Sequence, residues 1–168
     1  MRHKGIILTT DRMVLRPMTD EEWTRIVDSI FENDECLFQF GVAKSDELRV
    51  IISEPCRDAV IYYSLVLADD EELVGYVGIC PTNSNLELYV FNKYRRQGYA
   101  YEGVRTFIDS CMKGRITKRP RNGLYAEVDA DNEPCIGLLE KLGFRKLRCG
   151  FNLATGAGLL AYDYAAKD

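Results

Sequence analysis

The chain has 168 residues, a length that suits one domain. Hydrophobic residues make up 46% and charged residues 29%, a composition that argues against disorder and supplies a core without disulfide or metal. Lys plus Arg number 22 against 26 Asp plus Glu, a formal net charge of -4 that argues against a dedicated nucleic-acid binder, and the only histidine, His3, offers little to a Ser-His-Asp enzyme or an imidazole metal site.

In chain order, Met13-Val14-Leu15-Arg16-Pro17 follows Ile6-Ile7-Leu8 and reads as a strand stopped by proline. Thr19-Asp20-Glu21-Glu22 has the spacing of a helix start, with Trp23, Ile26, Val27 and Ile30 as its apolar face. A Phe-rich stretch runs from Phe31 to Gly41, and Ser45 to Leu48 opens a second helix with Leu48, Ile51 and Ile52 on one side. The period then changes. Val60 to Ala68 and Leu73 to Cys80 read as two strands of a hairpin, and Leu86 to Phe91 reads as a third. A loop at Arg95–Ala100 leads into a helix carrying Val104, Phe107, Ile108 and Cys111 at helical spacing. Leu124 to Val128 is a short strand, Glu133 to Leu142 a helix closed by Gly143, and two strands follow from Phe144 and from Leu159. This order predicts one α/β domain over residues 1–168 with a mixed sheet.

The six cysteines, at 36, 56, 80, 111, 135 and 149, lie too far apart for a CxxC knuckle and sit in apolar stretches, so they are expected as small buried hydrophobes in a reducing cytosol. No signal-peptide core follows the basic start, and no run approaches the roughly 18 apolar residues of a membrane span. The expectation is a cytoplasmic protein with no membrane partner and no metal.

The most informative segment is Leu88-Tyr89-Val90-Phe91-Asn92-Lys93-Tyr94-Arg95-Arg96-Gln97-Gly98-Tyr99-Ala100. A strand enters a short loop, and the loop opens a helix. Free N–H groups and partial positive charge at a helix start bind anions such as pyrophosphate, and Gly98 leaves room for a close approach. A tight turn with no ligand explains the same residues.

Three segments together carry a resemblance. Arg95-Arg96-Gln97-Gly98-Tyr99-Ala100 matches the [QR]-x-x-G-x-[GA] acetyl-CoA signature of the GNAT N-acetyltransferase superfamily. Asn132-Glu133-Pro134-Cys135 and Glu140-Lys141-Leu142-Gly143-Phe144 resemble its N-x-x-S…EKLGF helix. Thr10-Asp11-Arg12-Met13-Val14-Leu15-Arg16-Pro17 resembles the T-x-R-L-x-L-R-P opening of the branch containing ribosomal-protein N-terminal acetyltransferases. The resemblance implies a single-domain GNAT acyl-CoA N-acyltransferase fold, mostly antiparallel and flanked by helices, with strands splayed at the cofactor site. It implies transfer of acetyl from acetyl-CoA to a primary amine, a small molecule or a protein N-terminus, directly within a ternary complex. The amides of Arg95, Arg96, Gln97, Gly98, Tyr99 and Ala100 would hold the pyrophosphate. The backbone of Leu88, Tyr89 and Val90 would pair with the pantetheine arm, and Asn132 would touch that arm near the thioester.

The match departs from the family at two points. Leu139 stands where a tyrosine often serves as general acid, and Cys135 replaces the serine after the asparagine. A general base must therefore come from carboxylates. Strand alternation sets Glu87 on the face opposite Leu86 and Leu88, where it could take the amine's proton, although a solvated or ion-paired sheet residue fits the same spacing. Glu127 on the neighbouring strand is its rival.

Lys113 to Arg121 holds five basic residues in nine, which suit a solvated helix end, the cofactor's 3′-phosphate, or RNA. Phe31, Phe38 and Phe40 belong either to the core or to an acceptor pocket. Besides the enzyme, two other functions stay open: a non-catalytic acyl-CoA-binding or sensor domain, favoured by Leu139, and a ribosome-associated module. A homodimer is compatible with all three.

Overall fold

Alternating apolar residues in the first half of the chain build one antiparallel sheet, and those in the second half build another. In the computed structural model, which describes residues 5–32, 60–151, 156 and 158–165, the larger sheet contains β1 (Leu8–Thr9), β2 (Met13–Pro17), β3 (Ile61–Leu67), β4 (Leu73–Ile79) and β5 (Leu86–Val90), in that spatial order. The smaller contains β6 (Leu124–Asp129), β8 (Gly158–Tyr164) and β7 (Arg145–Phe151), with β8 in the middle. Every ladder is antiparallel. The expected helix from Ser45, together with Phe38, Phe40, Cys36 and Cys56, lies outside the described residues.

Helix α1 (Asp20–Glu32) starts where its sequence says it should. The Thr19 hydroxyl accepts from the Glu22 N–H at 3.2 Å, and Glu22 Oε2 accepts from the Thr19 N–H at 3.0 Å, a reciprocal capping box. Its Trp23, Ile26, Val27, Ile30 and Phe31 pack with Tyr76 and Tyr89 on one face of the larger sheet. Phe31 is therefore core. Trp23, Tyr62 and Tyr76 meet there with ring centroids 4.9–5.6 Å apart.

Helices α2 (Tyr99–Met112) and α3 (Glu133–Leu142) cover the opposite face. Val104, Phe107, Ile108 and Cys111 of α2 and Leu139 and Leu142 of α3 are buried against Leu65, Val77, Ile79, Leu124, Ala126 and Tyr162, joining both sheets through one core. Each such side chain contributes roughly 1.5–3 kcal/mol by leaving water. Gly143 closes α3 at φ 98°, a left-handed position that glycine adopts without strain.

The cysteine expectation holds only in part. Cys111 is buried, Cys80 and Cys135 are half-buried, and Cys149 is exposed. Cys149 lies on edge strand β7, all seven of whose residues are exposed, so its apolar neighbours in sequence do not place it in a core.

Candidate active site

The two sheets touch at one point and then part. Asn85 forms a parallel bridge with Tyr125, and the Tyr125 N–H donates to Ser84 O at 3.0 Å. Beyond that bridge β5 is the outer strand of its sheet and β6 the outer strand of the other, with no ladder between them. Their facing edges hold backbone N–H and C=O groups that an extended ligand could pair with. On one side of the cleft, Leu86, Leu88 and Val90 join the core under α2 and α3. On the other, Glu87 and Tyr89 face the α1 side, as alternation requires.

The loop at the open end of β5 is held from several directions. A single 3₁₀ turn, Asn92–Tyr94, follows the strand. Lys93 donates to Glu72 at 2.8 Å, and the Tyr94 hydroxyl bonds the same carboxylate. Arg95 turns back, its Nε donating to Val90 O at 2.9 Å and its guanidinium lying over the Tyr89 ring. Gln97 Nε2 donates to Lys93 O at 2.7 Å. Arg96 is exposed at φ 64° and Gly98 at φ 86°, so two left-handed residues turn the chain sharply into α2. The first helical bond of α2 joins the Glu102 N–H to Gly98 O, leaving the earlier amides, from Tyr99 on, directed at the loop's mouth.

Arg12, just before β2 and across β3 and β4 from β5, completes this support. Its Nη1 donates to Gln97 O at 3.0 Å, its Nε donates to Glu102 Oε2 at 2.7 Å, and its guanidinium lies 4.3 Å from the centre of the Tyr99 ring. The Thr10 hydroxyl and the Arg12 N–H bond Glu102 Oε1. Despite desolvation, these bonds and the Arg12 charge bring the Glu102 carboxyl below its ordinary value. Sequence reasoning gave Arg12 and Thr10 no role, although both stand in the T-x-R opening; a contact about 90 residues away along the chain has no local signal.

The loop suits an anion. A Cβ built on Gly98 would meet only Arg12 Nη2, at 3.3 Å, so the glycine faces open space beside the helix start. The carbonyl and edge groups of Leu88 to Val90 run directly into it. The residues therefore fit a ligand with a pyrophosphate at one end and an extended amide-bearing arm, as in acetyl-CoA.

Glu87 is half-buried with no hydrogen-bond partner among the described residues, and burial pushes its carboxyl above its ordinary value. Tyr76, pushed well up by its own burial and then by the Glu87 charge, is its neighbour across the strands. Glu127 is exposed and accepts from the Tyr125 hydroxyl at 2.7 Å. Asn132 caps α3, its Oδ1 accepting from the Cys135 N–H at 3.2 Å. Burial, with the charge of Asp129, pushes the Cys135 thiol up to about 11. Leu139 is buried in the core.

Comparison with known proteins gives these features a family. Residues 12–145 match the acetyltransferase (GNAT) domain. The uncharacterized N-acetyltransferase YoaA of Bacillus subtilis (strain 168) is 26% identical over 152 residues, 83% of each chain. A GNAT-family acetyltransferase from Bacillus anthracis superposes with a TM-score of 0.71 at 17% identity, over 94% of this chain and 96% of that one. A ribosomal L7/L12 α-N-protein acetyltransferase in complex with coenzyme A superposes with a TM-score of 0.68 at 14% identity, over 94% and 96%. At these identities the superpositions speak for the fold, and the domain match over most of the chain speaks for descent. The chain belongs to the GNAT family of acetyltransferases.

Proposed function

We propose that this acetyltransferase moves acetyl from acetyl-CoA to a primary amine by direct transfer, with the cofactor in the cleft between β5 and β6. The observation that carries the reading is the parting of those strands after the Asn85–Tyr125 bridge, next to a braced loop whose amides open α2. In this reading the amides around Arg96 to Ala100 hold the pyrophosphate, the Leu88–Val90 edge pairs with the pantetheine arm, and the free end of the Asn132 amide meets the arm near the thioester. Arg95 acts by fixing the loop to β5.

The chemistry needs a neutral amine, a polarised carbonyl and a leaving thiolate. Glu87 lies on the α1 side of the cleft, and its raised affinity for a proton suits it to take one from the incoming ammonium. The amine nitrogen then bonds to the thioester carbon, a β5 N–H stabilises the oxyanion, the C–S bond breaks, and the second proton of the nitrogen passes to the leaving thiolate or to solvent. A thiol pKa of about 8.5 makes the thiolate a tolerable leaving group, so a leucine at 139 does not stop the reaction. The reading places the enzyme in the cytoplasm. The ribosomal-protein relative makes a protein N-terminus the first acceptor to test, beside small amines.

The test is turnover of acetyl-CoA over a panel of small amines and peptides, with Glu87→Gln as control. The wild type is expected to acetylate at least one class, and Glu87→Gln to lose roughly 10²–10⁴-fold in kcat. Since the base must be ionised, kcat/KM should fall as pH drops through the raised pKa of Glu87, and this acid limb should vanish in the variant. Acetyl-CoA binding with no turnover on any amine would instead favour a sensor domain.

A further inference from the structure

We propose that the basic end of the smaller sheet is a docking surface for the phosphate backbone of structured RNA. Lys113, Arg115, Lys118, Arg119 and Arg121 follow α2 and are all exposed. None forms an ion pair among the described residues. The segment is nevertheless fixed. Ile116 and Pro120 are buried, the Arg115 N–H donates to Ser110 O at 2.9 Å, and the Gly123 N–H donates to Pro120 O at 3.3 Å. Gly123, at φ 80°, lies so close to Tyr164 O that a Cβ would fall 2.0 Å from it, which locks the segment to the end of β8. Lys118, Arg119, Arg121, Asn122 and Ala165 line an open concavity of about 610 Å³.

Strand register extends the patch. Leu124 opens β6 opposite Tyr164, which ends β8, while Arg145 and Lys146 open β7 opposite Asp163 and Tyr162. Arg145 and Lys146 are exposed at this same end, and among the described residues Arg145 alone of the two forms an ion pair, with Asp163 at 3.5 Å. A chain of net charge -4 thus gathers cations at one end, most of them without an ion pair among the described residues. A helix C-terminus accounts for Lys113 and Arg115, within the last turn's reach, but not for Lys118, Arg119, Arg121 or Lys146.

Phosphate is the favoured partner chemistry. Arginine forks bind phosphate oxygens in pairs, and unpaired cations release counterions on binding a polyanion. No aromatic residue lies in 113–121 to stack a base, so the contact is with backbone and shape rather than sequence. A bilayer is flat on this scale and the surface is concave. The two apolar side chains of the loop, Ile116 and Pro120, point inward. The surface is separate from the acyl-transfer cleft, since α2 runs between Gly98 at the cofactor loop and Lys113 here. The proposal therefore stands whether or not the acceptor is a protein.

The test measures binding of the full chain to a fluorescent 20-base-pair RNA hairpin across a KCl series, with phosphatidylserine vesicles and polyglutamate as competing probes. The expected log–log salt slope is about -3 or steeper, from three or more phosphates at roughly 0.9 each. Lys118→Glu/Arg119→Glu/Arg121→Glu should weaken binding at least tenfold, and the triple Gln variant should weaken it less. Both should keep the wild-type melting temperature and its shift with acetyl-CoA. A salt-insensitive signal, unchanged binding by the Gln and Glu variants, or preference for vesicles or polyglutamate over RNA would overturn the proposal.

Discussion

Arg12 braces the proposed cofactor loop and also borders the space beside Gly98. It holds Gln97 O and Glu102 and packs on Tyr99, so its removal frees the loop and the first turn of α2 together. Arg12→Ala is expected to raise the KM for acetyl-CoA severalfold with a smaller change in kcat. Arg12→Lys should not rescue it, because a single ammonium cannot fork between the Gln97 carbonyl and the Glu102 carboxylate. Initial-rate kinetics decide; an unchanged KM for acetyl-CoA would remove the role. Cys135 is a contrasting case, a thiol at a helix start that invites a covalent mechanism. With its thiol pushed up to about 11, only about one part in ten thousand is thiolate at neutral pH. Cys135→Ser should keep most of the activity, and the wild-type rate lines should intersect. Parallel lines with an acetyl group on Cys135 in the mass spectrum would contradict direct transfer.

At the scale of elements, α1 is joined to the sheet by a partly buried charge network. Arg16 binds both Glu22 oxygens, at 3.0 and 2.7 Å, and the Ser64 hydroxyl donates to Glu22 Oε2 at 2.8 Å. Burial alone would raise the Glu22 carboxyl, but the Thr19 N–H, Ser64 and Arg16 together bring it below its ordinary 4.5. The folded form therefore prefers the ionised carboxylate. The stability this contributes is present above about 4.5 and is lost as pH falls through the lower folded value. Denaturant midpoints taken from neutral pH downward should fall more steeply for the wild type than for Glu22→Gln over that acid window. Arg16→Met should cost about 1.5–3 kcal/mol by leaving a charged acceptor short of its donor. Equal acid slopes would remove Glu22 from the account.

Much of this level was legible. The Thr19–Glu22 spacing, the hairpin of β3 and β4 and the Gly143 stop are local signals, and each is where the chain's own chemistry puts it. The splay of the strands at the site came with the family resemblance, but the pairing of β2 with β3 and of β6 with β8 was not legible, because it joins strands across 30 or more residues. Cys149 shows the same limit from the other side: strand-like apolar neighbours say nothing of whether a helix covers that edge. At the site, Gly98, the loop and the face of Glu87 could be read from motif and alternation. The bracing by Arg12, Glu102 and Glu72 is tertiary, whereas the capping of α3 by Asn132 is a local contact three residues along the chain that the sequence reading passed over.

For the whole molecule, the claim that matters is that one cleft between two sheets holds acetyl-CoA. Ligand binding to the folded state alone should raise the melting temperature by about 5–10 °C at a hundred times Kd, for a chain of this size. Calorimetric titration of acetyl-CoA into the wild type and into Gly98→Asp is the most direct measurement. An aspartate there would put its carboxylate beside Arg12 and fill the space proposed for the pyrophosphate, while the left-handed backbone is one that Asp tolerates better than most residues. The account predicts one site per chain in the wild type and no detectable binding in a Gly98→Asp protein whose circular dichroism is unchanged. Absent binding in the wild type, or equal affinity in the two proteins, would contradict it.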